Sequence, residues 1–499
     1  MNSQTTRIQS VLLLFAGGLA LAFGQGHWPN GVALMVGIVL WIRFFRVAPP
    51  WLAVPLIVVA NVLVWEWAYS GMVPMPTPIR IGMFSGISFV FALLYLADRW
   101  THQRLDSLLA TLVLPCGWAA FDLLSARFSP GGTWASIAYT FVDHTALSQI
   151  ASLVGWTGVT FVVVWLASTV NWIWDRWDQD PAARRPGWIA VSIVAVAVLG
   201  FGIVRLSTGN EGQLVRVACI VAPDTFNDEY LNDLYTYTRG IEVPESSTTR
   251  ARERIEQSME EHFNLVENAA AQEPDFILWP EANAVLTLEE ESDWIKRAQE
   301  MAAEQQVFIG MGLIVFRPGT GKGTFNKFVL VDPTGKVVMD TLKATRVPGS
   351  LNAKGDGILP VVESDMGRLS SAICFDMDFP QVIAQAGRAK IDLFIAPSND
   401  WLEVRDIHAQ MARMRAIEQG FALVRPTKDG TTVITDSAGR ILASLTSPDD
   451  RPAMLVADIP VAHRFTLYSL IGDWFGILGG LGFLSIVMIA GFRGRVKFE

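Results

Sequence analysis

Seven stretches of apolar residues, near 8–25, 31–47, 51–71, 80–98, 107–127, 149–174 and 187–206, precede a 260-residue segment of ordinary polarity, and an eighth, 467–491, follows it. Each approaches the roughly 20 residues that an α-helix needs to cross a hydrocarbon core. In lipid every backbone N–H and C=O must be satisfied within its own segment, so these stretches are committed to helix. The mean hydropathy of +0.33, with 51% hydrophobic residues, is too apolar for an ordinary soluble enzyme. Three parts are therefore expected: a membrane domain of seven transmembrane helices over 1–206, a folded domain over 207–466, and a C-terminal transmembrane helix with its tail over 467–499.

Ala20-Leu-Ala22 has the small-residue pattern of a signal-peptide cleavage site, but the hydrophobic spans that follow and the single basic residue before it, Arg7, favour a retained helix. Arg43, Arg46, Arg99, Arg104, Arg176, Arg184, Arg185, Arg493, Arg495 and Lys497 fall with Arg7 on one side of the spans, whereas the short loops opposite hold little beyond Arg80 and Arg127. The positive-inside rule then puts both termini in the cytoplasm and 207–466 outside. That segment holds 38 acidic and 25 basic side chains. With no basic stripe to neutralise phosphates, nucleic acid is excluded as a partner.

Within 207–466, strands alternate with helices. Val215–Val221 reads as a buried strand, and 251–271 as an amphipathic helix with Ile255, Met259, Phe263, Val266 and Ala270 on one face. Strands are expected at Asp275–Trp279, Val307–Val315, Phe325–Val331, Val337–Met339, Leu369–Ile373, Ile391–Ala396, Phe421–Arg425 and Thr431–Thr435, with helices near 290–304 and 406–419. This order predicts sheets covered by helices and doubled into an α-β-β-α sandwich.

Three reactive side chains end strand-like runs: Glu281 in Phe276-Ile-Leu-Trp-Pro-Glu281, Lys343 in Asp340-Thr-Leu-Lys343, and Cys374 in Leu369-Ser-Ser-Ala-Ile-Cys374. Taken singly, each has an ordinary explanation as a buried thiol, a surface lysine or a solvated carboxylate. Together they supply a nucleophile, a cation to hold a thiolate or a tetrahedral oxyanion, and a carboxylate for proton transfer. The Phe375-Asp376 step after the cysteine signals a sharp strand-to-helix turn that aims backbone N–H groups at a developing oxyanion. Cys116, Cys219 and Cys374 are too few and too scattered for a disulfide framework, and the six histidines show no metal-ligand spacing. Neither a metal nor another cofactor is expected. Gly319-Thr-Gly-Lys-Gly323 lacks the spacing of a phosphate loop and reads as a flexible turn.

Pro280-Glu281, Lys343, Cys374-Phe-Asp, Ser398-Asn-Asp-Trp401 and the run from His408 to Glu418 resemble the bacterial apolipoprotein N-acyltransferases, membrane-embedded members of the nitrilase superfamily. Phe23-Gly24, Trp28-Pro29, Trp118 with Asp122, Ser129-Pro-Gly-Gly and Gln149–Gly158 extend the resemblance into the membrane half. It implies a multi-span helical membrane domain carrying a nitrilase-like (carbon-nitrogen hydrolase) α/β domain on the periplasmic side of the inner membrane. It further implies that Glu281 is the general base, Lys343 the oxyanion stabiliser and Cys374 the nucleophile. Cys374 would take an acyl chain from a phospholipid as a thioester and pass it to the α-amino group of a diacylglyceryl-modified apolipoprotein. Phe375 and Asp376 stand where the family usually has Tyr and Glu. The family's longer loop after the lysine, with its glutamate, is here the shorter Arg346-Val-Pro-Gly-Ser350, and Asp376 is the candidate to fill part of that role.

Two rivals use the same residues differently: a membrane-tethered amidase or other C–N hydrolase, and an N-acyltransferase with another amine acceptor. An inert scaffold is disfavoured because all three reactive positions are filled. A bare tether needs one or two spans, so eight favour a path for lipid. Trp401, Glu66 and Asp122 are candidates for substrate binding, the two carboxylates because an ionisable group within a membrane span calls for a partner or a function.

Overall fold

The computed structural model describes residues 3–208, 212–223, 228–238, 245–317, 323–350, 352–447 and 451–493. The turn at Gly319–Lys322, together with Arg495 and Lys497, lies outside them. The chain divides into two compact units, Met1–Thr208 with Ile471–Glu499, and Gly209–Leu470.

The first unit is helical: Ser3–Ala22, Gly31–Val47, Pro50–Ala68, Thr77–His102, Val113–Phe128, Ala151–Trp174, Pro181–Ser207 and, after the long insertion, Trp474–Phe492. Among the described residues, six apolar helices are long enough to cross a membrane: Pro50–Ala68, Thr77–His102, Leu108–Phe128, Ala151–Trp174, Pro181–Ser207 and Trp474–Phe492. The two at the N-terminus are shorter, with an apolar run of Ile8–Ala22 and 17 residues in Gly31–Val47. The last helix packs on Val113–Phe128 through small residues. Gly479 sits close to the Cys116 carbonyl and Ala119, and a Cβ at Gly117 would meet Phe483 at 3.0 Å. Lipid supplies no hydrophobic drive between helices, so such close backbone approach is what holds them.

Charge sorts along the helices. Arg46 donates to Asp98 at 3.1 Å and to Asp175 at 2.7 Å, Arg43 also pairs with Asp175, and Arg99 donates to the carbonyls of Phe45 and Ala48. These basic residues, from the C-terminal turns of two helices, therefore gather at one end of the unit. At the opposite end of Pro50–Ala68, Arg80 donates to both oxygens of Glu66, at 2.9 and 2.7 Å.

The second unit is built on two main sheets. The first runs in the order β15-β1-β2-β4-β5-β6, from Ala453–Val461 (β15), Gln213–Val221 (β1), Phe276–Leu278 (β2), Phe308–Phe316 (β4), Phe325–Val331 (β5) and Val337–Leu342 (β6), with Ala284–Thr287 (β3) also pairing β4. The second runs β14-β13-β11-β9-β8-β7, from Ile441–Thr446 (β14), Thr431–Thr435 (β13), Ala422–Arg425 (β11), Leu393–Ile395 (β9), Gly367–Ser371 (β8) and Val362–Ser364 (β7). A short parallel pair joins Ser398–Asn399 (β10) to Thr427–Lys428 (β12).

Alternation along β1 explains the layers. Val215, Val217 and Cys219 enter a core shared with Leu393, Ile395 and Val424 of the second sheet. Ala218 and Ile220 face the other way, against Ile255, Phe263 and Val266 of the helix Glu245–Ala270 and Trp294 and Met301 of Glu291–Gln305. On the far side of the second sheet, Phe394 and Leu423 pack on Ile383, Ala386, Ala412 and Ala416 from the helices Pro380–Arg388 and Arg405–Gln419. The result is an α-β-β-α sandwich with buried strands in parallel, helix-crossed pairs at the centre of each sheet.

Candidate active site

Glu281 owes its position to an interruption in strand pairing. Strand β2 pairs with β4 as far as Leu278 opposite Gly310, and pairing resumes at Ala284 opposite Leu313. Between them the chain crosses over Gly312, where a Cβ would lie 2.0 Å from the Pro280 carbonyl oxygen and 2.8 Å from the Glu281 Cα. Only glycine leaves room for that crossing. Ala282 follows at φ 55°, and the Asn283 side chain ties the turn to the Ala222 backbone at 3.0 and 3.1 Å.

Lys343 directly follows β6 and donates its backbone N–H to the Asn326 carbonyl at 2.8 Å. Its Nζ donates to Glu281 Oε1 at 2.6 Å, and each of the two side chains is only 5% exposed. Asn326 Nδ2 donates to the same oxygen at 2.5 Å, and the Asn399 N–H donates to Oε2 at 3.0 Å. Burial alone would pull the Lys343 ammonium down. The Glu281 carboxylate outweighs it, with help from Cys374 and Asp376, and holds that ammonium above its ordinary range.

Cys374 comes from the other sheet, at the end of the run that leaves β8, and its N–H donates to the Pro397 carbonyl at 2.9 Å. Its φ of 48° is left-handed, a conformation that costs a non-glycine residue energy and recurs at nucleophile turns. A 3₁₀ turn, Cys374–Asp378, begins there. Burial lifts the thiol above its ordinary range; Glu281 adds to the rise, while Lys343 and His408 oppose it. The sulfur donates weakly to the Asn399 carbonyl at 3.7 Å. Asn399 thus touches both the carboxylate and the thiol.

Asp376 accepts from the N–H groups of Ile373 at 3.1 Å, Ala344 at 3.2 Å and Thr345 at 2.6 Å. It therefore fastens the segment after Lys343 to the cysteine turn. Its own N–H is given to the Ile373 carbonyl.

Behind the sulfur lies a second buried set of charges that sequence reasoning did not assign. His408 Nδ1 lies 2.9 Å from Asp400 Oδ1, and Nε2 lies 3.7 Å from Asp378. Arg425 Nη2 donates to both oxygens of Asp400 at 3.0 and 2.9 Å. Asp400 and His408 stood within the Ser398–Trp401 and His408–Glu418 motifs, which was the available signal; Asn326, Asp378 and Arg425 had none. Cys374, His408 and Asp400 each offer an atom within 4.8 Å of the others, a donor set that zinc accepts. Asp400 and Nδ1 are already engaged with one another and with Arg425, so the set reads as a hydrogen-bonded chain.

The remaining candidates lie elsewhere. Trp401 stacks edge-on to His408, with centroids 6.1 Å apart. Glu66 holds Arg80 in the helical unit. Asp122 is buried and accepts from the hydroxyls of Ser136 at 2.8 Å and Thr160 at 2.7 Å. The other thiols are structural in setting, Cys219 in the core between the sheets and Cys116 within a membrane helix.

Residues 247–464 match the carbon-nitrogen hydrolase family, and residues 16–169 match the apolipoprotein N-acyltransferase N-terminal domain. The chain belongs to the apolipoprotein N-acyltransferase family. Among its relatives, the apolipoprotein N-acyltransferase of Geobacter metallireducens is 24% identical over 89% of this chain and 82% of its own length. That of Bradyrhizobium diazoefficiens is 24% identical over 83% of this chain and 78% of its own. A solved amidase of the nitrilase superfamily from Nesterenkonia is 17% identical and covers 50% of this chain and 92% of its own, with a TM-score of 0.38.

A Cβ at Gly312 would push on the backbone that carries Glu281. Gly312→Ala is expected to lower turnover about 100-fold, the cost of moving a reacting group by about 1 Å, and to lower the thermal midpoint of the purified protein as the backbone shifts to relieve the clash. Undiminished turnover would show that Glu281 does not depend on this crossing.

Proposed function

We propose that this protein moves a fatty acyl chain from a phospholipid to the α-amino group of a diacylglyceryl-modified apolipoprotein, through a thioester on Cys374. The observation that carries the proposal is the joining of a buried carboxylate, ammonium and thiol in a chain whose membrane half matches the N-acyltransferase N-terminal domain.

In the first step Glu281 takes the Cys374 proton and the thiolate attacks the ester carbonyl carbon of the donor. The tetrahedral oxyanion is met by the Lys343 ammonium and the Phe375 N–H. When the C–O bond breaks, Glu281 returns the proton to the departing lysophospholipid oxygen. In the second step the acceptor amine attacks the thioester carbonyl and gives a proton to Glu281. The C–S bond then breaks, and the thiolate recovers its proton. A cation held by a fixed, buried carboxylate stabilises the oxyanion without having to reorganise.

A membrane location suits this chemistry, because donor and acceptor chains can stay in the bilayer while only the headgroup and the amine reach the thiol. The one-sided arginines and lysines support a bacterial inner-membrane protein with both termini cytoplasmic and 207–466 periplasmic. Asp376 supports the shortened loop after Lys343 through its bonds to Ala344 and Thr345. An amidase acting on a diffusible substrate would use the same three residues, and the membrane half argues against it.

Incubating the purified protein with phospholipid is expected to add one acyl mass to the peptide containing Cys374, and Cys374→Ser is expected to fold yet form no turnover-competent intermediate. An unmodified peptide in an active preparation, or wild-type turnover by the serine variant, would remove Cys374 from the reaction. Protease added to intact spheroplasts is expected to cut within 207–466 and spare a C-terminal tag. The reverse pattern would invert the topology.

A further inference from the structure

The mechanism above leaves a buried, highly charged neighbour of the nucleophile without a task. His408 comes from the helix Arg405–Gln419, which packs on the far side of the second sheet. It is 7% exposed, and its two nitrogens face opposite carboxylates, Asp400 at 2.9 Å and Asp378 at 3.7 Å. Asp400 is pinned by Arg425, which also donates to Thr427 at 2.8 Å. A histidine held this way cannot turn, and the nitrogen left over from Asp400 is the one available to the sulfur.

We propose that His408 is a second cation for the Cys374 thiolate, an imidazolium fixed by Asp400 that shares with Lys343 the work of ionising the nucleophile. The proposal rests on Cys374 being the reactive thiol, a point that peptide-mapped alkylation checks separately.

The surroundings decide the sign. Facing the thiol are Glu281 and Asp400, which oppose its ionisation, and Lys343 and His408, which favour it; facing His408 are Asp378, Asp400 and the thiol itself, with Arg415 and Arg425 against the carboxylates. Burial alone would strip the proton from His408, but the two carboxylates hold it well above the ordinary histidine range. It is therefore charged at neutral pH. Burial raises Asp378 to about 6, whereas Asp400, which burial alone would raise, is kept below the ordinary carboxylate range by Arg425 and His408. The permanent anion is Asp400. Proton balance is simple: the thiol proton still goes to Glu281, and His408 keeps its own throughout.

A division of labour follows from the two-step reaction. Lys343 is bound to Glu281 and faces the oxyanion, so the net charge the pair presents to the sulfur changes each time Glu281 gains or loses a proton. His408, fixed by a different carboxylate, gives the sulfur a cation that does not change as Glu281 cycles. That matters most when the thioester must release a thiolate to the incoming amine.

The test is the rate of Cys374 alkylation by iodoacetamide across pH in the full-length detergent-solubilised protein, read by mass spectrometry of the Cys374 peptide. His408→Gln keeps a hydrogen-bond donor and loses the charge. Its alkylation at neutral pH is expected to fall at least about tenfold, as removal of a cation within 4–6 Å of a thiolate should cause. The gap to wild type should close as pH rises and both thiols ionise. A profile that superimposes on wild type would overturn the proposal, whatever happens to turnover. Should the variant fail to fold, the unaltered protein still decides: deuterium exchange at histidine C2 is expected to give His408 a titration midpoint well above that of an ordinary histidine, and a midpoint at or below the ordinary value would overturn the proposal too. Absence of acyl transfer by the wild-type protein, with the alkylation difference between wild type and variant present, would instead count against the transfer reading alone.

Discussion

A lysine and a glutamate buried together at 2.6 Å are the interaction on which the rest of this domain turns. Taking either charge out of water is costly, and removing one partner of such a pair commonly destabilises by roughly 3–5 kcal/mol because the other is left uncompensated. The fold meets that cost with neutral donors. Asn326 shares Oε1 with Lys343 and the Asn399 N–H engages Oε2, so the carboxylate is fixed while Oε2 keeps a lone pair for a proton. Glu281 comes from the crossing over Gly312, Asn326 from β5 and Lys343 from the end of β6, all in the first sheet, while the Asn399 N–H comes from β10.

Cys374 enters this arrangement from the second sheet in a strained left-handed turn, and the strain is held by contacts on either side. Pro397 receives its N–H, and Asp376 two residues on reaches back to Ile373 and across to Ala344 and Thr345. The Asp376 bonds couple the lysine segment to the nucleophile turn.

Much of this was legible in the residues themselves. The alternation of Val215, Val217 and Cys219 against Ala218 and Ile220 marked β1 as a strand buried on both faces, and the spacing of Ile255, Phe263 and Val266 marked the helix that covers it. Glu281, Lys343 and Cys374 stood out because each ends an apolar run. Other features were hidden for physical reasons. β15 pairs with β1 across more than half of the domain, a partnership that no local pattern encodes. Asn326 and Asp378 look like any polar residue until the fold brings them to a charge. His408 and Asp400 are eight positions apart, on a helix and a strand end, and only their packing behind the sulfur reveals them as a pair. In the helical unit, hydropathy marked the spans, and the second helix, Gly31–Val47, has the bounds that its apolar run gave, while the first begins five residues earlier and ends three earlier, at Ser3–Ala22.

The central claim is that the thioester on Cys374 is a true intermediate reserved for an amine. The direct measurement is a single-turnover chase: protein loaded with labelled acyl chain, freed of phospholipid, then mixed with a synthetic diacylglyceryl-cysteine peptide or with buffer alone. The label is expected to pass to the peptide amine at least as fast as steady-state turnover and to remain on the protein in buffer. Release as free fatty acid at the same rate in both mixtures would make this protein a hydrolase and contradict the account.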